Sequence, residues 1–108
     1  MLNAFEEGYF TGILIGEGHF GGDGKQAQIT LKMHTRHAQL FSWLMDKFPN
    51  SKLYGPYHYD GRHFYQWMAR GSVLKDEILP ILMNNFDIFD DHIKTRIKDM
   101  CDRYNLLT

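Results

Sequence analysis

Between Ala4 and Glu17 the large apolar side chains Tyr9, Phe10, Ile13 and Leu14 recur at helical spacing, which predicts a first helix. The stretch GHFGGDGKQ ends it, and its GGDG centre reads as a hairpin turn. Beyond the turn, QAQITLKMH alternates: Ala27, Ile29, Leu31 and Met33 share one face, and Gln26, Gln28, Thr30, Lys32 and His34 the other. That is the pattern of a half-buried strand with a polar outer face. Thr35 is the expected cap of a second helix through RHAQLFSWLMDKF, with Leu40, Phe41, Leu44 and Phe48 on its buried stripe. KLYGPYHY and HFYQWMA then predict two strands joined by Asp-Gly, a strong hairpin signal. Ser72 is the expected cap of a helix from about Val73 that Pro80 must kink or restart. Asp90 or Asp91 caps a last helix carrying Ile93, Ile97, Met100 and Tyr104.

The order helix, hairpin, helix, hairpin, helices predicts one α+β domain over residues 1–108. Both hairpins join in a four-stranded antiparallel sheet, every helix packs on one face, and the other face stays open with polar and aromatic side chains.

The first helix carries an anomaly. Gly8, Gly12 and Gly16 stand at every fourth position, and each costs about 0.5–1 kcal/mol relative to alanine in a helix interior. Aligned on one stripe, they let another backbone approach closely. The stripe can pack against the domain's own sheet or against a second copy across a two-fold axis. Glu17 follows at the helix C-terminus, beside the negative end of the dipole, an unfavourable placement of about 0.3–1 kcal/mol. A shared divalent cation would relieve that placement, and the repulsion between two copies of Glu17 as well.

Composition adds limits. The apolar fraction of 44% excludes a disordered chain, and no apolar run approaches the ~18 residues of a membrane span. The beginning, MLNAFEEG, lacks a basic signal region, and a single cysteine, Cys101, forms no internal disulfide, so an intracellular, soluble protein is expected. The net charge of −1 conceals a segregation: residues 19–70 hold seven Lys/Arg against three Asp, and five of the six histidines. The middle of the chain is therefore the part suited to a polyanion.

FTGILIGEG, with Tyr9 before it and His19-Phe20 after, resembles the motif of the LAGLIDADG homing endonucleases. In that resemblance Gly12 stands for the motif's first glycine, Gly16 for the small residue near the helix crossing, Glu17 for the metal-binding acid and Gly18 for the closing glycine. The family's order αββαββα, with a further helix here, covers essentially the whole chain, and YQWMARG before a proline-containing helix is similar to its fourth strand and next helix. A single motif implies the homodimeric branch. It implies an interface of Gly8, Thr11, Gly12, Ile15 and Gly16, a divalent metal (Mg²⁺) at Glu17 and Gly16, and Glu17 as catalytic acid. The substrate implied is double-stranded DNA with a pseudo-palindromic site, and the host an intron, intein or phage. The saddle-like sheet face would lie along the major groove. Its candidates are Gln26, Gln28, Thr30, Lys32 and His34, then Lys52, Tyr54 and His58, then Arg62, Gln66 and Arg70. Lys25 and Lys47 are expected at phosphates. His63 and Tyr65 stay open between groove and core, because a bulge after Asp-Gly would reverse the alternation.

The chain departs from the family at three places. Ile15 occupies the motif's earlier acid position. The family's lysine after the third helix falls in FDIFDDH, which has none, with Lys94 too far along to match. The polar position ending the second strand is open among His34, Arg36 and His37. Two alternatives follow: a nucleic-acid-binding relative without cleavage, such as a transcription regulator or maturase, and a protein-interaction or small-ligand module.

Overall fold

A computed structural model describes residues 2–106. Helix α1 (Ala4–Glu17) starts at a reciprocal cap: the Asn3 side chain accepts the Glu6 N–H at 2.8 Å, and the Glu6 carboxylate accepts the Asn3 N–H at 3.0 Å. α1 runs directly into β1 (Gly18–Gly22), which turns into β2 (Ala27–His34). Asp23 fastens that turn by accepting the N–H groups of Lys25 at 2.9 Å and Gln26 at 2.8 Å. Gln26 thus belongs to the turn rather than the strand. Backbone N–H donation from Gln26, then Lys25, holds the Asp23 carboxyl below its ordinary range.

A short 3₁₀ turn (Thr35–His37) leads into α2 (Ala38–Lys47), followed by β3 (Lys52–Tyr59) and β4 (Arg62–Arg70). Thr35 does not cap α2, whose first residue follows His37 with no side-chain capping bond; the 3₁₀ turn is instead capped by His34, whose Nδ1 accepts the Arg36 N–H at 2.9 Å. The four strands form one antiparallel sheet in the order β1-β2-β4-β3.

Ser72 makes no capping bond. The chain is already helical there and passes through a π-helical segment (Val73–Ile78) into α3 (Leu79–Asn84), with Pro80 in the first turn. Pro80 has no N–H, and its ring crowds the carbonyl four residues back. The wider turn accommodates that conflict without ending the helix. A second 3₁₀ turn (Phe86–Ile88) precedes α4 (Asp91–Tyr104), which Asp90 caps by accepting the Ile93 N–H at 2.8 Å.

The helices cover one sheet face. Ile29, Leu31, Trp67 and Ala69 are fully buried against Phe10, Leu14, Phe41 and Leu44. Trp67 sits at the centre, with the rings of Phe10 at 6.1 Å and Phe48 at 6.2 Å. Its indole N–H donates to Ser51 Oγ at 2.7 Å, which donates in turn to the Phe48 carbonyl at 2.6 Å. Tyr65 resolves to the core side, against Phe41 at 5.4 Å.

Candidate nucleic-acid interface and the Glu17 tip

Strand register fixes what the open face presents. Gln28 lies opposite Arg70, Thr30 opposite Met68, Lys32 opposite Gln66 and His34 opposite Phe64. On the other side of β4, Lys52 pairs with Met68 and Tyr54 with Gln66. Cross-strand partners share a face, so Gln28, Thr30, Lys32, His34, Lys52, Tyr54, Arg62, Gln66 and Arg70 stand together on it. Gln28 also donates to Asp23 at 3.3 Å, which engages one of its two amide hydrogens.

His58 departs from the expectation. Between Tyr54 and Tyr57, β3 advances three residues while β4 advances two, a bulge at Gly55–Pro56 that reverses the alternation. Tyr57 and Tyr59 therefore take the open face. His58 turns to the other side, where its Nδ1 meets that of His63 at 2.6 Å. The bulge precedes Asp-Gly, so the reversal falls on β3 and leaves β4 in its expected phase. Sequence reasoning missed Tyr57 and Tyr59, for which the Gly-Pro pair inside an otherwise strand-like run was the available signal, and Phe64 and Met68, which the alternation with Arg62, Gln66 and Arg70 places on the same face.

Lys47 also departs. Its Nζ is 3.2 Å from Glu6 Oε2, joining the last turn of α2 to the first of α1 within the helical layer and away from the open face. The Asn3 backbone N–H and then Lys47 hold the Glu6 carboxyl below its ordinary range. Lys25 lies exposed in the β1–β2 turn.

Among the described residues, no strand contains a carboxylate. The sheet's fixed charges are Lys32, Lys52, Arg62 and Arg70, all on the open face. Although the chain's net charge is near zero, the fixed charges on this face are all positive, the arrangement that attracts a polyanion.

The glycine stripe is equally open. A methyl group placed on Gly8, Gly12 or Gly16 would meet nothing within 4 Å among the described residues, so the stripe does not serve packing against its own sheet. Phe5, 80% exposed, and Tyr9, 45% exposed, stand beside it, with Tyr9 edge-on to Trp43 at 5.3 Å. Ile15 is half-buried next to it. Thr11, expected on the same contact face, is instead buried within the chain, and its hydroxyl has no hydrogen-bond partner among the described residues.

Glu17 is exposed at the end of this stripe. Because Gly18 pairs with Leu31, the Glu17 tip lies at the end of the sheet where β2 finishes at His34. His37 and Arg36 follow in the exposed 3₁₀ turn. Partial desolvation, then Arg36, His63 and His37, hold the His34 pKa below its ordinary value. The FDIFDDH segment forms the second 3₁₀ turn and the start of α4, where the Lys94 ammonium lies over the Phe86 ring at 5.8 Å. Among the described residues no three His, Cys, Asp or Glu side chains converge as a metal site. The Glu17 carboxylate and the adjacent Gly16 carbonyl are hard oxygen donors suited to Mg²⁺, and one chain supplies only part of such a set.

The sheet topology and helical layer are those of the LAGLIDADG homing endonuclease fold. Over 94% of this chain, the LAGLIDADG homing endonuclease I-GzeII, in complex with its DNA target, superposes with a TM-score of 0.72 at 19% identity. The group I intron-encoded homing endonuclease I-CeuI, complexed with DNA, gives 0.71 at 8% identity over 94% of the chain. The homing endonuclease I-TnaI gives 0.68 at 12% identity over 89%. The match spans 36% of I-GzeII, 55% of I-CeuI and 69% of I-TnaI. No protein-family model matches the chain, and no curated protein sequence does. Among the described residues, no helix is long and apolar enough to cross a membrane.

Proposed function

We propose that this chain is a site-specific, Mg²⁺-dependent double-strand DNA endonuclease that acts as a homodimer on a pseudo-palindromic site. The observation that carries the reading is the exposed Glu17 carboxylate at the end of a glycine stripe that none of the described residues covers. Two copies meeting along Gly8, Gly12 and Gly16, with Ile15 beside them, bring two Glu17 carboxylates together. Glu17 and the Gly16 carbonyl of each copy would hold the metal, which supplies Lewis-acid stabilisation of the leaving oxygen and a lowered pKa for the attacking water. The cationic sheet face of each copy takes one half-site. Lys32, Lys52, Arg62 and Arg70 supply charge and guanine contacts, Gln28 and Gln66 suit adenine edges, and the tyrosines suit thymine methyls or the backbone. The likeness to homing endonucleases solved with DNA supports the same reading.

One observation favours a second reading, a DNA binder without cleavage: the FDIFDDH segment, where the family carries its lysine, contains none. Selection of bound duplexes from a randomised pool in Ca²⁺, followed by challenge with Mg²⁺, separates the two. Enrichment of a two-fold-symmetric site that Mg²⁺ causes to be cut supports the endonuclease. Enrichment without cutting supports the binder, and no enrichment overturns both.

A further inference from the structure

At the end of the sheet where β2 finishes and β4 begins, a concavity of about 410 Å³ is lined by Lys32, His34, Tyr59, Arg62, His63 and Phe64. Its chemistry differs from the flat face beside it. Tyr59 is 69% exposed, an aromatic ring held at the rim with little covering it. Phe64 forms a second aromatic surface, backed by Tyr57 at 5.3 Å, with the Lys32 ammonium over its ring at 5.9 Å. Arg62 lies directly across the strand pair from Tyr59, and no carboxylate among the described residues lines the site. Both histidines have one ring nitrogen engaged. His34 Nδ1 accepts from Arg36, and His63 Nδ1 faces His58, which leaves Nε2 on each as the remaining polar atom.

Aromatic surfaces flanked by fixed cations suit a ligand that is planar and anionic together. The volume lies within the ~300–1,000 Å³ range of small-ligand sites. A paired base in a duplex offers only its edge to a protein, whereas an unpaired base offers the face that aromatic rings stack upon. We infer that this concavity binds one unpaired nucleobase with its flanking phosphate: the base stacks on Tyr59 and Phe64, and Lys32 and Arg62 hold the phosphate. The inference extends the nucleic-acid reading above but does not need the nuclease, since an extrahelical base, a single strand of DNA and a single strand of RNA share this chemistry.

The test titrates the intact protein with eight-nucleotide oligo(dT) and oligo(rU), reading backbone amide and aromatic side-chain NMR resonances alongside fluorescence anisotropy. Shifts centred on Tyr59, Phe64, His34 and His63 are expected. Tyr59→Ala should weaken binding by about 5- to 150-fold, the range for loss of one stacked base, while Tyr59→Phe retains it. Equal binding of the two oligonucleotides assigns the site to base and phosphate alone, and tighter binding of oligo(rU) assigns it to RNA; both sustain the inference. Shifts confined to Gln28 and Thr30, or unchanged affinity in Tyr59→Ala, overturn it. If a selected duplex binds and neither oligonucleotide does, this inference falls and the proposed function stands. If the oligonucleotides bind here and no duplex is enriched, the reverse holds.

Discussion

Tyr57 lies directly across from Phe64 on the open face of the sheet, with ring centroids 5.3 Å apart and planes tilted by 41°. The bulge creates this relationship, and Gly55 makes the bulge possible. Gly55 has φ of +104°, and a Cβ there would lie 3.0 Å from the Tyr57 nitrogen and 3.1 Å from the Phe64 carbonyl oxygen. Both neighbours are backbone atoms that cannot swing aside. Gly55→Ala is therefore expected to cost about 1–3 kcal/mol, read as a lower denaturation midpoint. An unchanged midpoint would mean that β3 reaches its register without this conformation.

Ser51 joins the α2–β3 connection to the centre of the core through Trp67. Ser51→Ala leaves a buried indole N–H without its acceptor, at an expected cost of about 1–3 kcal/mol. Chemical denaturation followed by tryptophan fluorescence measures it; a loss below a few tenths of a kcal/mol would show that the indole finds another acceptor.

Gly12 offers a prediction with two opposite signs. Among the described residues of one chain a methyl group there meets nothing within 4 Å, so Gly12→Ala should stabilise the dilute monomer by about 0.5–1 kcal/mol through helix propensity. In a dimer the same methyl separates the two backbones, so self-association should weaken, and Gly12→Leu should abolish it. Sedimentation equilibrium together with denaturation at low concentration reads both effects. A dimer undisturbed by Gly12→Leu would place the contact elsewhere.

His34 carries the pH prediction. Its pKa in the fold lies below the unfolded value, so folding favours the neutral ring. The associated stability is present above the ordinary imidazole pKa of about 6.5 and is lost as pH falls through the lower folded value. NMR titration should place the His34 midpoint below the ordinary imidazole value of about 6.5. A His34 midpoint at or above the ordinary value would show that Arg36 and His37 do not face it in solution.

Much of this architecture was legible because the local signals agree. The alternation in QAQITLKMH, the Asp-Gly turn and the Asp90 cap each point to the element that forms, and the buried faces of α2 and α4 follow their periodicity. The glycine stripe was legible as an anomaly, though not its direction. A sequence does not show whether a small-residue stripe faces its own sheet or solvent, and here it faces solvent. His58 and Lys47 were misplaced for different reasons. His58 depended on parity through a bulge, where one inserted residue reverses every side chain beyond it. Lys47 depended on the nearness of two helix ends, which local periodicity does not encode. The Thr35 cap failed because His34, one residue earlier, caps the 3₁₀ turn that precedes α2, and the Ser72 cap because the chain is already helical at that residue.

The most direct test of the central claim compares cleavage of a selected duplex by the native protein and by Glu17→Gln in Mg²⁺, with binding in Ca²⁺ measured in parallel. Glu17 is exposed, and the substitution leaves its size nearly unchanged, so the fold should persist. Retained binding with cleavage reduced at least a hundredfold is the predicted result. Equal cleavage by the two proteins would contradict the assignment of Glu17 and, with it, the account of the open stripe as the seam of an active dimer.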